Sequence, residues 1–126
     1  MPLVRVSMRR GKPATYRKAV LEGLYQAMRE TFNVPEGDRF MILTEHEQDD
    51  FVYDPNYLGI QRSDDLVIIQ ITWNEGRTVE QKKALYKAIA DGLATTLSLR
   101  REDVFIGLVE VKKENWSFGN GVAQYA

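Results

Sequence analysis

The sequence predicts an α/β (α+β) domain built from a duplicated β-α-β unit, with a four-stranded mixed sheet, two helices on one face and a short C-terminal hairpin. Three observations carry that expectation. The chain has 126 residues, 44% of them hydrophobic, enough for one compact core and too few for two ordinary domains. It matches itself at an offset of 65 residues, the separation of Gly11 and Gly76. Within each matched half the apolar period changes from two to about 3.6 and back. The expected organisation is a single domain over 1–126 with internal repeats at 3–46 and 68–111.

The self-match is ungapped. Gly11/Gly76, Lys18/Lys83, Ala19/Ala84, Thr31/Thr96, Asp38/Asp103, Phe40/Phe105, Leu43/Leu108 and Glu45/Glu110 are identical pairs. Val4/Ile69, Val6/Ile71, Leu24/Ile89, Met28/Leu93 and Val34/Leu99 exchange one apolar residue for another.

Each half opens with a strand, 3–8 and 66–73, in which Val4, Val6, Met8 and Ile69, Ile71, Trp73 alternate onto one face. Glycine then turns the chain. Tyr16, Ala19, Val20, Gly23, Leu24, Ala27, Met28 and Phe32 follow with helical spacing, and Ala84, Leu85, Ala88, Ile89, Gly92, Leu93 and Leu97 repeat it. Pro13 suits the first turn of one helix, and Thr78 to Gln81 reads as a capping box for the other. Asn33 ahead of Val34-Pro35 is the expected stop.

A second strand closes each half, at 40–45 and 104–111. A crossover as long as a helix favours a parallel pair. With both helices on one side, the opposite face carries Leu3, Arg5, Ser7, Val67, Ile68, Gln70 and Thr72. Such a partly apolar surface calls for a partner subunit. The segment 47–65 interrupts the repeat and, with Asp54-Pro55-Asn56 and Gly59, reads as a loop with room for a short hairpin. The tail 112–126 lies beyond the duplication, and its Trp116, Phe118 and Tyr125, spaced by Gly119 and Gly121, suggest a hairpin on a neighbouring surface.

Composition excludes several classes of function. Seventeen basic and eighteen acidic residues give a net charge of -1, so no field draws the chain to nucleic acid or to an anionic membrane. The absence of cysteine removes disulfides, thiolate metal sites and a thiol nucleophile together. No apolar run approaches a membrane span, and Arg5, Arg9, Arg10, Lys12, Arg17 and Lys18 interrupt any secretory leader. The expectation is a cytoplasmic protein. His46, the single histidine, lacks evident partners for a metal or a triad and reads as surface structure.

The chain begins Met-Pro-Leu. It also carries Val34-Pro35 followed by Asp38-Arg39-Phe40, then Gly76-Arg77-Thr78, Glu80-Gln81-Lys82 and Asn115-Trp116-Ser117-Phe118-Gly119. With the duplicated unit, these segments resemble the tautomerase superfamily, and within it the malonate semialdehyde decarboxylase group. The resemblance implies a homotrimer acting on a small carboxylate, with no cofactor and no metal. It implies catalytic roles for Pro2, after removal of Met1, and for Asp38 and Arg77, with Arg77, Trp116 and Phe118 binding substrate. One departure stands out: the decarboxylase group has a second arginine two residues before the position of Arg77, where this chain has Glu75.

The predicted topology agrees with that assignment. Pro2 begins the first strand and Asp38 precedes a parallel neighbour, so both fall at one end of the sheet. Arg77 follows a strand antiparallel to the first and reaches the same end.

Three readings follow. In a tautomerase of 2-oxo or enol acids, a neutral Pro2 amine is the general base. In a decarboxylase, Pro2 works protonated while Asp38 activates water or orients substrate. In a non-catalytic trimeric scaffold, Met1 is retained and Pro2 has no basic nitrogen. Plainer roles stand beside the chemical ones: Asp38 has a twin in Asp103 and suits a turn, Arg77 has a counterpart in Lys12, and Trp116 and Phe118 suit a subunit interface.

Overall fold

The computed structural model describes residues 2–126. Among them run β1 (Leu3–Arg9), α1 (Ala14–Phe32), β2 (Phe40–His46), β3 (Val67–Asn74), α2 (Val79–Leu97) and β4 (Val104–Val111). The strands form one mixed sheet in the order β2-β1-β3-β4. The outer pairs β1·β2 and β3·β4 are parallel, and the central pair β1·β3 is antiparallel.

The duplication is written into the hydrogen-bond register. Leu3 pairs with Phe40 and Ile68 with Phe105, the same pairing displaced by 65 residues. In the central pair Arg5 faces Gln70, its own repeat equivalent, so an approximate two-fold axis passes between them. The turns obey the same rule. Gly11 and Gly76 have φ of 135° and 117°, and Asn33 and Ser98 end the two helices in the left-handed region at 53° and 55°. Thr78 caps α2 with the capping box read from the sequence, whereas Pro13 caps α1 with no side-chain bond.

Both helices cover one face. Val4, Val6, Met8, Ile69, Ile71 and Trp73 from the central strands are buried against Val20, Leu24, Met28, Leu85, Ile89 and Leu93 from the helices. The helices approach closely where Gly23 meets Leu93: a Cβ added at Gly23 would lie 2.9 Å from Leu93 Cδ2. Val67, expected on the opposite face, belongs to this core because it pairs with Met8 and shares its side of the sheet. The opposite face leaves Phe40, Ile42, Phe105 and Val109 exposed, Phe40 by 53% and Phe105 by 48%.

Two further segments differ from expectation. The tail forms no hairpin: it makes a 3₁₀ turn at Lys113–Asn115 and then folds back without strand pairing. Gln124 closes it instead, accepting from Phe118 N and donating to Gly119 O. Two glycines and several polar residues leave it no alternating pattern from which to build a ladder. The segment 47–65 contains two short 3₁₀ turns, Gln48–Asp50 and Tyr57–Gly59. It is anchored by Asp103, fully buried, whose Oδ1 accepts from Ser63 N at 2.7 Å and whose Oδ2 accepts from Ser63 Oγ at 2.6 Å. His46 is half-buried rather than on the surface, its ring 5.9 Å from that of Phe51.

Removing a buried charged acceptor leaves its donors unsatisfied, at about 1.5–3 kcal/mol. Asp103→Ala is therefore expected to lower unfolding free energy by roughly that amount, read as a lower urea midpoint with little change in slope.

Candidate active site

The end of the sheet where β1 and β2 begin and β3 finishes collects the residues singled out from the sequence. The registers Leu3↔Phe40 and Leu3↔Thr72 place Pro2, the residues just before β2 and the last residues of β3 side by side. Pro2 is buried. With Leu3, Phe40, Trp116, Ser117 and Phe118 it lines a groove of about 220 Å³ whose walls are mostly apolar. Met1, whose removal would free the Pro2 nitrogen, lies outside the described residues.

The tail supplies the aromatic wall. Trp116 and Phe118 stack with ring centroids 5.4 Å apart and planes inclined by 20°, and Tyr125 meets Phe118 edge-on at 5.2 Å. The Trp116 indole N–H donates to Asn74 Oδ1 at 2.8 Å. Asn74 is the last residue of β3 and, apart from Asp103, the one polar residue among the buried positions described.

Asp38 and Arg77 stand at the same end but do not line this groove. Asp38 ends a turn in which its N–H bonds to Pro35 O, while Gly37, at φ 86°, donates to the hydroxyl oxygen of the buried Tyr25. That bond ties the turn to α1. Burial raises the Asp38 carboxyl above its ordinary value of 3.8, because desolvation disfavours the ionised form.

Arg77 lies on the helix side. Its guanidinium carbon sits 5.4 Å from the Phe32 ring centroid and 5.2 Å from that of Trp73, and its Nη1 donates to Asn74 O at 2.7 Å. Among the described residues it forms no ion pair. Its counterpart Lys12, by contrast, is held by Asp65 at 2.8 Å. Asn74 thus accepts from Arg77 through its backbone and from Trp116 through its side chain. Sequence reasoning gave Asn74 no role. The available signal was a break in the repeat, which pairs it with Arg9. Among the described residues there is no group of three or more His, Asp or Glu side chains arranged to hold a metal, and no helix is long and apolar enough to cross a membrane.

The sign of the Asp38 effect on stability follows from linkage. A carboxyl whose folded pKa is raised leaves the folded state unaffected below the unfolded value and penalised above it, so stability falls as pH rises from about 3.8 to the raised value and then levels. Asp38→Asn abolishes the titration. Its urea midpoint is expected to gain on that of the parent as pH climbs through this window, and an equal gap at pH 3 and pH 7 would contradict the assignment.

Comparison with known proteins gives a consistent result. Two family models, both described as tautomerase enzyme, match residues 2–61 and 38–119. The probable tautomerase YusQ of Bacillus subtilis strain 168 is 44% identical over 124 residues, covering 98% of each chain. A solved malonate semialdehyde decarboxylase superimposes with a TM-score of 0.90 at 29% identity, over 98% of this chain and 95% of its own. A second, called FG41 and inhibited by 3-bromopropiolate, gives 0.90 at 36% identity, over 98% and 93%. The duplicated β-α-β fold, the match to both family models and the near full-length identity to YusQ place this chain in the tautomerase family.

Proposed function

We propose that this protein is a cofactor-independent keto-enol tautomerase of small 2-oxo or enol carboxylic acids, with the Pro2 amine as general base. The observation that carries this reading is the apolar groove formed by Pro2, Trp116 and Phe118, at the end of the sheet that also holds Arg77 on its helix side, an arginine with no ion pair among the described residues.

An ordinary α-amino group titrates at about 7.7–8.0. Burial against aromatic walls disfavours the ammonium form, so a processed Pro2 would be neutral near pH 7. The pyrrolidine ring also fixes the direction of its lone pair relative to β1. In the proposed reaction the enol hydroxyl proton passes to the Pro2 nitrogen, the enol π electrons take up a proton at C3 from the resulting Pro2 ammonium, and the 2-oxo acid is released with the neutral amine restored. Arg77 supplies two parallel donors for the substrate carboxylate and holds it for the transfer.

A malonate semialdehyde decarboxylase activity is the second reading, favoured by the likeness to two such enzymes over nearly the whole chain. It would use Pro2 protonated and Asp38 as the water-activating or orienting carboxylate. Glu75 stands where that group has an arginine, which weighs for the tautomerase.

Assembly as a homotrimer would cover the bare sheet face. Transfer of an exposed phenylalanine side chain from water is worth about 1.5–3 kcal/mol, and Phe40 and Phe105 are both half-exposed.

Four measurements test these assignments. Intact mass of untagged protein is expected to lack one methionine, and that sample should convert phenylenolpyruvate to phenylpyruvate; retained Met1 without turnover would point to the scaffold. Pro2→Ala is expected to reduce kcat by at least about 100-fold with the oligomer intact, while Arg77→Ala raises KM by roughly 10- to 100-fold. Acetaldehyde formed from malonate semialdehyde, with no ketonisation, would favour the lyase. Ile42→Asp combined with Phe105→Asp is expected to lower the mass seen by light scattering to that of one chain.

A further inference from the structure

We infer that Asn74 is a positioning residue that holds Trp116 as a wall of the substrate groove, an assignment that rests on the functional reading above. The tail needs such an anchor. Beyond Asn115, its hydrogen bonds among the described residues run within the tail, except for the one from Trp116 Nε1 to Asn74 Oδ1. No strand pairing supports it. Trp116 in turn carries Phe118 through their stack, and Phe118 carries Tyr125. One buried amide oxygen therefore registers three aromatic rings against the end of the sheet.

The position of Asn74 explains how it can do so. Val67, Ile69, Ile71 and Trp73 of β3 face the helices, so by alternation Asn74 turns to the side where the tail lies. Trp73, one residue earlier, contributes its ring to the seat of Arg77, and the backbone carbonyl of Asn74 fixes that arginine's Nη1. The aromatic wall and the candidate carboxylate-binding group are thus set from adjacent residues of one strand end. The duplicated half has Arg9 at this position, held by Asp64 at 3.0 Å, so the amide is a feature of the Pro2 end alone.

Replacing the side chain separates the two functions, since the backbone carbonyl that serves Arg77 remains. In Asn74→Leu the indole N–H of Trp116 loses its acceptor, the wall loosens, and the ground state and transition state lose the same apolar contact. The expected result is a KM for phenylenolpyruvate raised about five- to tenfold with kcat nearly unchanged. Trp116→Phe removes the donor from the other side and, because it also trims the groove wall, is expected to raise KM at least as far. Adding Asn74→Leu to Trp116→Phe should cause no further loss, because the amide oxygen then has no indole N–H to hold.

Nitrogen-15 spectra of the indoles supply a readout independent of turnover. The chain has two tryptophans, and Trp73 Nε1 is buried without a hydrogen-bond partner among the described residues. In Asn74→Leu the Trp116 N–H signal should shift upfield and exchange faster with solvent while that of Trp73 holds. Binding of the unreactive 3-phenylpropanoate, followed through the same signals, should weaken five- to tenfold. An unmoved Trp116 signal, or a moved signal with KM and binding intact, would overturn the assignment. Should the parent neither turn over nor bind, the functional reading fails, and the hold of Asn74 on Trp116 stands or falls on the indole exchange alone.

Discussion

The antiparallel pairing of β1 with β3 about the Arg5–Gln70 position governs the rest of the molecule. Two copies of a strand-helix-strand unit could each leave one strand edge open, and open edges invite association with other chains. Joining the copies through their first strands satisfies both edges at once and makes a two-fold relation unavoidable. Once Arg5 faces Gln70, the parallel partner of each central strand must lie outside it, giving the order β2-β1-β3-β4. Right-handed crossovers then send both helices to the same face. Burial of Val4, Val6, Ile69 and Ile71 beneath α1 and α2 follows, as does the bareness of the face that carries Phe40 and Phe105.

The same relation creates two equivalent ends of the sheet, and at each the chain places a residue at or just before the start of the first strand, an aspartate ahead of the second and a cation after a glycine turn. At one end these are Pro2, Asp38 and Arg77; at the other, Val67, Asp103 and Lys12. Identical backbone settings need not perform identical work. Asp103 is fully buried and satisfied by the backbone and hydroxyl of Ser63, which makes it an anchor for the segment 47–65. Asp38 is less enclosed, and desolvation raises its pKa.

Much of this was legible in the sequence because periodicity and repetition are local signals. The two helices, the four strands, the capping box at Thr78 and the stop at Asn33 all lie where alternation, helical spacing and turn chemistry put them. What escaped was set by contacts between segments distant in sequence. Val67 joins the core through its register against Met8, which its own neighbours do not specify. The tail's fold depends on Gln124 reaching back to Phe118 and Gly119, and the place of Trp116 depends on Asn74, 42 residues earlier. A single amide with no motif around it gives no sign of such a role. The convergence of Pro2, Asp38 and Arg77 on one end was readable from topology, but their division between a groove and the helix side was not.

The parts of the chain that break the repeat decide what the two ends become. At the Val67 end the inserted segment 47–65 brings its own carboxylates: Asp65 pairs with Lys12, Asp64 with Arg9 and Glu47 with Arg10. These pairs are at least partly exposed and contribute little stability, yet they satisfy the cations locally and leave that end little net attraction for an anion. At the Pro2 end the unrepeated tail brings aromatic rings and no carboxylate to Arg77. The charge that responds to that guanidinium is Glu110 of β4, whose carboxyl is held below its ordinary value first by Lys82 and in smaller part by Arg77, while the rings of the tail supply apolar walls beside Pro2. Duplication supplied the scaffold twice. Two unrelated additions, one acidic and one aromatic, gave the two ends different surroundings: paired charges at one, an apolar groove at the other.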